Sequence, residues 1–329
     1  MSEVVVTAPA RLHFGMLDPM GVGARRFGGF GVGVEYPRVI VGVDRAPRTG
    51  GGRAGSESRV VSGPQADRAA TFADRARLEF GLREEVSIHV YEAIPPHTGL
   101  GSGTKLALAI ARATAELAGV EPDPERLAEA SGRGARSSVG CWTFVAPGLV
   151  VEAGVRDGGS ISPVVARHSM PERWRCILAM PLGVEGLSGV AEERFFRRLH
   201  EPAAGEPSVS RLLLTELLPG LVTGDLDEFG AALTQIQREM GSMFATEQGG
   251  VFHPRAAPLV DALVALGVPA VGQSSWGPTV YGIVDGPDVA TEVADRLRVA
   301  AASDTEVRVV DFDRRGAWAT RGAPAAASA

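Results

Sequence analysis

Lysine is all but missing from this chain of 329 residues: of its 33 basic residues only Lys105 is a lysine, and the rest are arginine. An Ala-, Gly- and Arg-rich coding bias drives surface lysines to arginine at little physical cost. A position that stays lysine then points to a need for a compact, flexible ammonium that a planar guanidinium does not replace. Cysteine is nearly as scarce. Cys141 and Cys176 are too few for a disulfide framework and lack metal-ligand spacing, so both read as small hydrophobes. No run approaches the roughly 18 consecutive apolar residues of a membrane span, so no membrane partner is expected. The start, MSEVVVTAPARL, shows no basic region followed by a long apolar stretch, which makes a cytoplasmic location the expectation. The histidines show neither HxxxH nor HExxH spacing, so no metal ligands can be named, and there is no G-x-S-x-G elbow. A basic field is missing too: the formal net charge is −6, which argues against a nucleic-acid partner.

What is present is the composition of an ordinary globular protein, long enough for two domains. Residues 4–6 and 11–17 read as strands, followed by a glycine-rich stretch over 21–33 taken as a loop. Strands are expected at 39–43 and 59–61, joined by a flexible surface connection, with a helix over 66–80 stopped by Gly81. Val86, Ile88 and Val90 alternate as in a half-buried strand. Leu106, Ala109, Ile110, Ala113 and Leu117 then recur at helical spacing up to a cap at Gly119. The segment WTFVAPGLVVEAGV reads as a strand. Polar, Gly/Pro-rich composition around 155–170 suggests a domain boundary, giving domains 1–165 and 166–329. In the second half, strands are expected at 175–180 and 305–312, helices at 189–200, 209–222, 225–243, 255–266 and 288–300, and a strand–loop–strand over 268–284. The final residues, RGAPAAASA, read as a disordered tail. Mixed strands and helices in two halves make the expected fold class α+β.

The segment richest in chemistry is TGLGSGTK at 98–105, where a strand and a glycine loop open a helix. Glycines let the backbone approach an anion and aim successive amides at it, and the helix N-terminus adds partial positive charge. Ser102 and Thr104 offer hydroxyls, and the sole lysine, Lys105, falls here. A random lysine lands in a given ten-residue window only about 3% of the time, which favours a role for it. The loop fits neither the P-loop pattern nor the dinucleotide fingerprint. A second segment, GQSSWGPTVYG at 272–282, carries more polar groups than a hairpin needs. In a third, ARLHFGMLD at 10–18, Arg11, His13 and Asp18 interrupt an apolar strand in a way that suits a carboxylate or a sugar hydroxyl. Arg25 with Arg26, and Arg133 with Arg136 ahead of Ser137 and Ser138, sit in glycine-rich loops that could grip a phosphate.

APARLHFG, PPHTGLGSGTKLALA and GQSSWGPTVYG, in that order, resemble the GHMP kinase superfamily, and more closely its non-kinase branch typified by β-ribofuranosylaminobenzene 5′-phosphate synthase. The resemblance implies a two-domain α+β fold. Its N-terminal domain would be like ribosomal protein S5 domain 2, its C-terminal domain ferredoxin-like, and the assembly a homodimer. It implies phosphoribosyl pyrophosphate (PRPP) and an aromatic carboxylate as partners and Mg²⁺ as cofactor, with neither ATP nor a nicotinamide. Ribose 5-phosphate would join the ring with loss of CO₂ and pyrophosphate. Carried over, the loop His97, Thr98, Gly99, Leu100, Gly101, Ser102, Gly103 and Thr104 would hold pyrophosphate, and Ser274, Ser275 and Trp276 the acceptor. From the residues themselves, Ser102 and Lys105 are expected to be catalytic, Arg25, Arg26, Arg133, Arg136, Ser137 and Ser138 to take the 5-phosphate, and Arg11, His13 and Asp18 to meet the acceptor. That branch usually has glutamine where this chain has Lys105. The extra cation resembles the related C-nucleoside antibiotic enzymes and suggests 4-amino-1H-pyrazole-3,5-dicarboxylate as acceptor, with 4-aminobenzoate the alternative. A GHMP small-molecule kinase using ATP and a non-catalytic phosphometabolite-binding protein are the rival readings.

Overall fold

A computed structural model of the chain describes residues 3–21, 23–47, 59–134, 136–186 and 208–322. Most of the connection expected at 46–58, the helix expected at 189–200 and most of the tail lie outside the described residues.

The chain begins with two long antiparallel strands, β1 (Val4–Asp18) and β2 (Phe27–Arg45). Residues 4–6 and 11–17, expected as separate strands, are one. The glycine-rich stretch was expected to be a loop, yet from Phe27 onward it is strand. The reason lies in its period of two: Phe30, Val32 and Val34 enter the core while Gly29, Gly31 and Gly33 take the other face. On β1 the even-numbered residues from Val4 to Met16 enter the same core, which turns Arg11 and His13 to the face of those glycines. The register pairs His13 with Gly31 and Arg11 with Gly33. The larger sheet is completed by β3 (Val61–Ser62), β4 (Val86–Glu92), β5 (Leu149–Glu152), β6 (Val164–His168) and β11 (Trp318–Arg321), in order β11-β1-β2-β4-β3 with β5 pairing β2 and β6.

Helices α1 (Ala66–Phe80), α2 (Ser102–Ala118), α3 (Pro124–Ser131) and α4 (Val139–Val145) belong to this half. α1 and α2 end at Gly81 and Gly119 as the sequence indicates, each glycine in the left-handed region. α4 replaces part of an expected strand. Its β-branched and aromatic run has strand propensity, but burial against α2, β1 and β2 overrides it.

The second half holds a four-stranded antiparallel sheet ordered β10-β7-β9-β8: β7 (Trp174–Pro181), β8 (Ala270–Gln273), β9 (Val280–Asp285) and β10 (Thr305–Val310). One face packs into the main core with α5 (Val209–Leu212), a π-helical stretch (Leu213–Leu217), α6 (Leu218–Thr223) and α7 (Leu226–Gln248). The other meets α8 (Ala257–Ala265) and α9 (Pro287–Ala300) in a separate cluster around Ile177, Leu263 and Leu297. α7 is capped by Asp225, whose carboxylate accepts from the amides of Asp227 (3.1 Å) and Glu228 (3.0 Å). A division at 165/166 cuts through β6, which pairs with β5, and β11 returns to the first sheet beside β1. The halves share one main core in which α7 packs on both β1 and β8.

Candidate active site

The start of α2 is fixed by backbone packing. Gly99 and Gly101 have φ of 85° and 81°, the region that glycine enters without strain. Loop 98–99 lies so close to residues 274–277 that neither Gly99 nor Gly277 has room for a Cβ. Ser274 Oγ donates to the Gly99 carbonyl (2.7 Å) and accepts from the His13 amide (3.1 Å). The Arg11 amide donates to the Leu100 carbonyl (3.1 Å), the Arg11 guanidinium donates to the Gly99 carbonyl, and the Leu100 side chain is wholly buried. No side chain caps the α2 N-terminus, so its first amides are available to an anion. Two guanidiniums approach it at Gly103, those of Arg68 from α1 and of Arg133. They lie 6.0 and 5.3 Å from the centroid of the Phe72 ring. Burial lowers the Arg68 pKa, as expected for a cation held out of solvent.

Next to this loop is a cavity of about 120 Å³, many times what a single buried water needs. Its floor comes from β1 (Arg11, His13, Phe14), one wall from Arg136 and Ser137, and the rest from α7, Val251 and Phe252 just after it, the end of β8 and the β8–β9 loop. Trp276 and Phe244 pack with ring centroids 4.1 Å apart at its apolar end. Glutamines stiffen that side: Gln237 donates to the Phe14 carbonyl and accepts from the Gln273 amide (2.9 Å), and Gln273 Nε2 donates to Gln248 Oε1 (3.2 Å). On the other side His13 Nε2 lies 3.0 Å from Ser137 Oγ, which donates to Glu152 Oε1 (3.1 Å). His13 is buried next to Arg11, and these two effects, burial first, push its pKa down to about 3, so it is a neutral imidazole. Glu152 is fully buried and its pKa is raised, chiefly by that burial.

Comparison with known proteins agrees with this architecture. The GHMP kinases N terminal domain matches residues 67–142 and the GHMP kinases C terminal domain residues 217–302. The β-ribofuranosylphenol 5′-phosphate synthase of Archaeoglobus fulgidus is 32% identical over 84% of this chain and 86% of its own. The chain belongs to the GHMP kinase family, in the branch of these synthases. The synthase of the same name from Methanothermobacter thermautotrophicus is 29% identical over 86% of this chain and 89% of its own. Both are named for a phenol, where the motif resemblance suggested an aminobenzene. Among solved structures, homoserine kinase from Cytophaga hutchinsonii has a TM-score of 0.69 at 16% identity, covering 97% of this chain and 98% of that one. Mevalonate pyrophosphate decarboxylase from Streptococcus pyogenes has a TM-score of 0.64 at 13% identity, covering 95% and 98%. These two share the GHMP fold.

Within that fold the residues singled out by sequence divide. The GHMP loop, including Ser102 and Thr104, opens α2 as expected, although Thr98 Oγ1 turns back to the Pro95 carbonyl and Leu100 is a core anchor. Arg11, His13, Ser275 and Trp276 line the cavity, joined by Arg136 and Ser137, which were expected at the 5-phosphate. Lys105 does not join the loop. Its side chain is wholly buried beneath α2, Nζ donating to Thr143 Oγ1 (3.0 Å) with the Phe144 ring centroid 5.9 Å away. Asp18 is no cavity residue: its carboxylate holds the amides of Gly21 (2.8 Å) and Gly23 (2.9 Å). Arg25 donates to the Gly154 carbonyl (3.1 Å) and Arg26 pairs with exposed Asp157, so both are bonded to the 154–157 loop and neither lines the cavity. Ser138 and Ser274 are fully buried and bind backbone. Sequence reasoning missed Arg68, Glu152 and the α7 glutamines. For Arg68 a signal existed, an arginine one turn before Phe72 on the helix facing the loop. Among the described residues no three His, Cys, Asp or Glu side chains converge as a metal site. The side chains gathered at Gly103 are arginines, which suit an anion and do not fit a protein-held Mg²⁺.

Proposed function

We propose that this protein is a PRPP-dependent C-ribosyltransferase. It joins ribose 5-phosphate to the carboxylate-bearing carbon of an amino- or hydroxy-substituted aromatic ring. The observation that carries this reading is the position of Arg11, which packs against Gly101 of the anion loop and also lines the aromatic cavity. A leaving pyrophosphate at α2 and a flat acceptor in the cavity would then meet on either side of one guanidinium. The relatives named as ribofuranosylphenol phosphate synthases support the same chemistry.

The bond from the ribosyl carbon to pyrophosphate breaks as negative charge builds on the leaving oxygen, and the α2 amides with Arg68 and Arg133 stabilise that charge. The electron-rich ring carbon, held by Trp276 and Phe244, supplies the pair for the new C–C bond. Loss of CO₂ returns the pair of the C–CO₂⁻ bond to the ring and restores aromaticity, so no proton has to be removed. That is consistent with a cavity whose only histidine among the described residues is neutral. Any Mg²⁺ arrives on the pyrophosphate of the donor, as part of the substrate.

The relatives' names carry a phenol, which favours a hydroxy-substituted benzene ring, here as its benzoate, as the acceptor. The pyrazole dicarboxylate stands as a second reading on one observation: with Lys105 buried, Arg136 is the second cation beside Arg11 able to meet a second carboxylate. The test is pyrophosphate release from PRPP with 4-hydroxybenzoate, 4-aminobenzoate or the pyrazole dicarboxylate, without ATP. Release that needs an acceptor and matches CO₂ mole for mole supports the proposal. ATP consumption with a phosphorylated product and no CO₂ overturns it in favour of a kinase, and release of nothing with any acceptor favours a binding protein.

A further inference from the structure

The hydrogen bonds around Glu152 fix which nitrogen of His13 faces a ligand. Glu152 Oε1 accepts from the Ser138 amide (2.8 Å) and from the Ser137 hydroxyl (3.1 Å). With Oε1 as acceptor of both bonds, whether Glu152 is ionised or carries a proton on Oε2, the single Ser137 proton is committed to it. Ser137 Oγ keeps only acceptor capacity, part of which takes the Val139 amide (3.4 Å). The contact of 3.0 Å with His13 Nε2 must then be donation from His13 to Ser137. A neutral imidazole with its proton on Nε2 has a lone pair on Nδ1. His13 is 7% exposed and borders the cavity, and its Nδ1 has no hydrogen-bond partner among the described residues. Such a nitrogen, next to an aromatic-lined cavity, is short of one donor.

We infer that the ligand of this cavity supplies that donor. The ring carries an O–H or N–H group that hydrogen-bonds to His13 Nδ1, and Glu152 acts through Ser137 as the positioning residue that sets the tautomer. The inference rests on the aromatic-acceptor reading and narrows it, because it excludes benzoates without a donating substituent. It also gives that substituent a part in the reaction. As the ring carbon attacks, positive charge spreads onto the hydroxyl or amino group and makes its proton more acidic. The bond to Nδ1 is then stronger in the transition state than in the ground state. His13 takes no proton to completion: burial and neighbouring Arg11 keep it neutral.

The test compares two probes of nearly equal shape, 4-hydroxybenzoate and 4-fluorobenzoate, by calorimetry on the full-length protein. Wild type should prefer the hydroxy compound by about tenfold, in the range of one hydrogen bond. Glu152→Met, which removes the acceptor oxygen, and Ser137→Ala should bring that ratio to about twofold or less. Nitrogen NMR of the wild-type imidazole should show the proton on Nε2, and in Glu152→Met a shift toward Nδ1. A residue of purely structural importance would weaken both probes together and leave the ratio unchanged. Equal binding of the two probes by wild type, an Nδ1-protonated ring, or an unchanged ratio in Glu152→Met overturns the inference while leaving the aromatic-acceptor reading intact. If the variants do not fold, the wild-type ratio and tautomer decide alone. If none of 4-hydroxybenzoate, 4-aminobenzoate and the pyrazole dicarboxylate binds, the acceptor reading itself falls and the inference falls with it.

Discussion

Lys105 is an amine with one hydrogen-bond partner and no access to solvent, and desolvation brings its pKa from 10.5 down to about 7, against a smaller upward pull from Asp313. Because the folded state disfavours the charged form, it binds fewer protons than the unfolded chain between those two values. The resulting penalty is fully present below pH 7 and fades as pH rises toward 10.5. Lys105→Met should therefore raise Tm at pH 7, and the gain should shrink by pH 10; thermal melts at both values check this. An unchanged or lowered Tm at pH 7 contradicts it. Arg68 carries the opposite expectation. Arg68→Met should raise the KM for PRPP about tenfold, the worth of a charge-assisted bond, with the acceptor KM unaltered in steady-state kinetics. The two residues show what single positions reveal in a sequence. The scarcity of lysine correctly marked Lys105 as unusual, but composition does not say to which side of a helix a residue turns. Arg68 was one of many arginines until α1 brought it to Gly103.

At the level of elements, most boundaries followed from pattern: Gly81 and Gly119 ended their helices, and the period of two in β4 held. The failures came where two patterns competed. The glycines of β2 suggested a loop, yet they are the space-making half of a strand opposite Arg11 and His13, and a Cβ on Gly29 would lie 3.2 Å from His13 Nε2. The aromatic run of α4 suggested a strand until tertiary packing is counted. The junction between loop 98–101 and residues 274–277 could not be read at all, because it joins segments 175 residues apart. It is open to test. Ser274→Ala removes the bond to Gly99 and leaves the His13 amide unpaired, which should destabilise the fold by about 1–3 kcal/mol. Denaturant unfolding should show that loss, and the PRPP KM should rise as the loop loosens. A variant as stable as wild type would mean the junction rests on backbone packing alone.

For the whole molecule, the site exists because the halves share a core. β1 provides Arg11 and His13, α7 and the β8–β9 loop provide Gln237, Phe244 and Trp276, and the anion loop comes from between β4 and α2. The motifs named the contributing segments, whereas the closure of β6 and β11 onto the first sheet and the Glu152 chain depended on the fold. Trp276 in the cavity wall gives a direct signal: acceptor binding should quench its fluorescence, and Trp276→Phe should abolish the change. An unaltered signal in that variant would put the acceptor elsewhere. The central claim is that the new bond joins carbon to carbon as CO₂ leaves. Its most direct test is NMR of the product formed from PRPP labelled with ¹³C at the ribosyl C1 and 4-hydroxybenzoate labelled with ¹³C at the ring carbon that carries the carboxylate. One-bond carbon–carbon coupling between the two labels, with one CO₂ released per product, is the predicted result. Ribose found on the substituent oxygen or on the carboxylate, with the CO₂ retained, would contradict it.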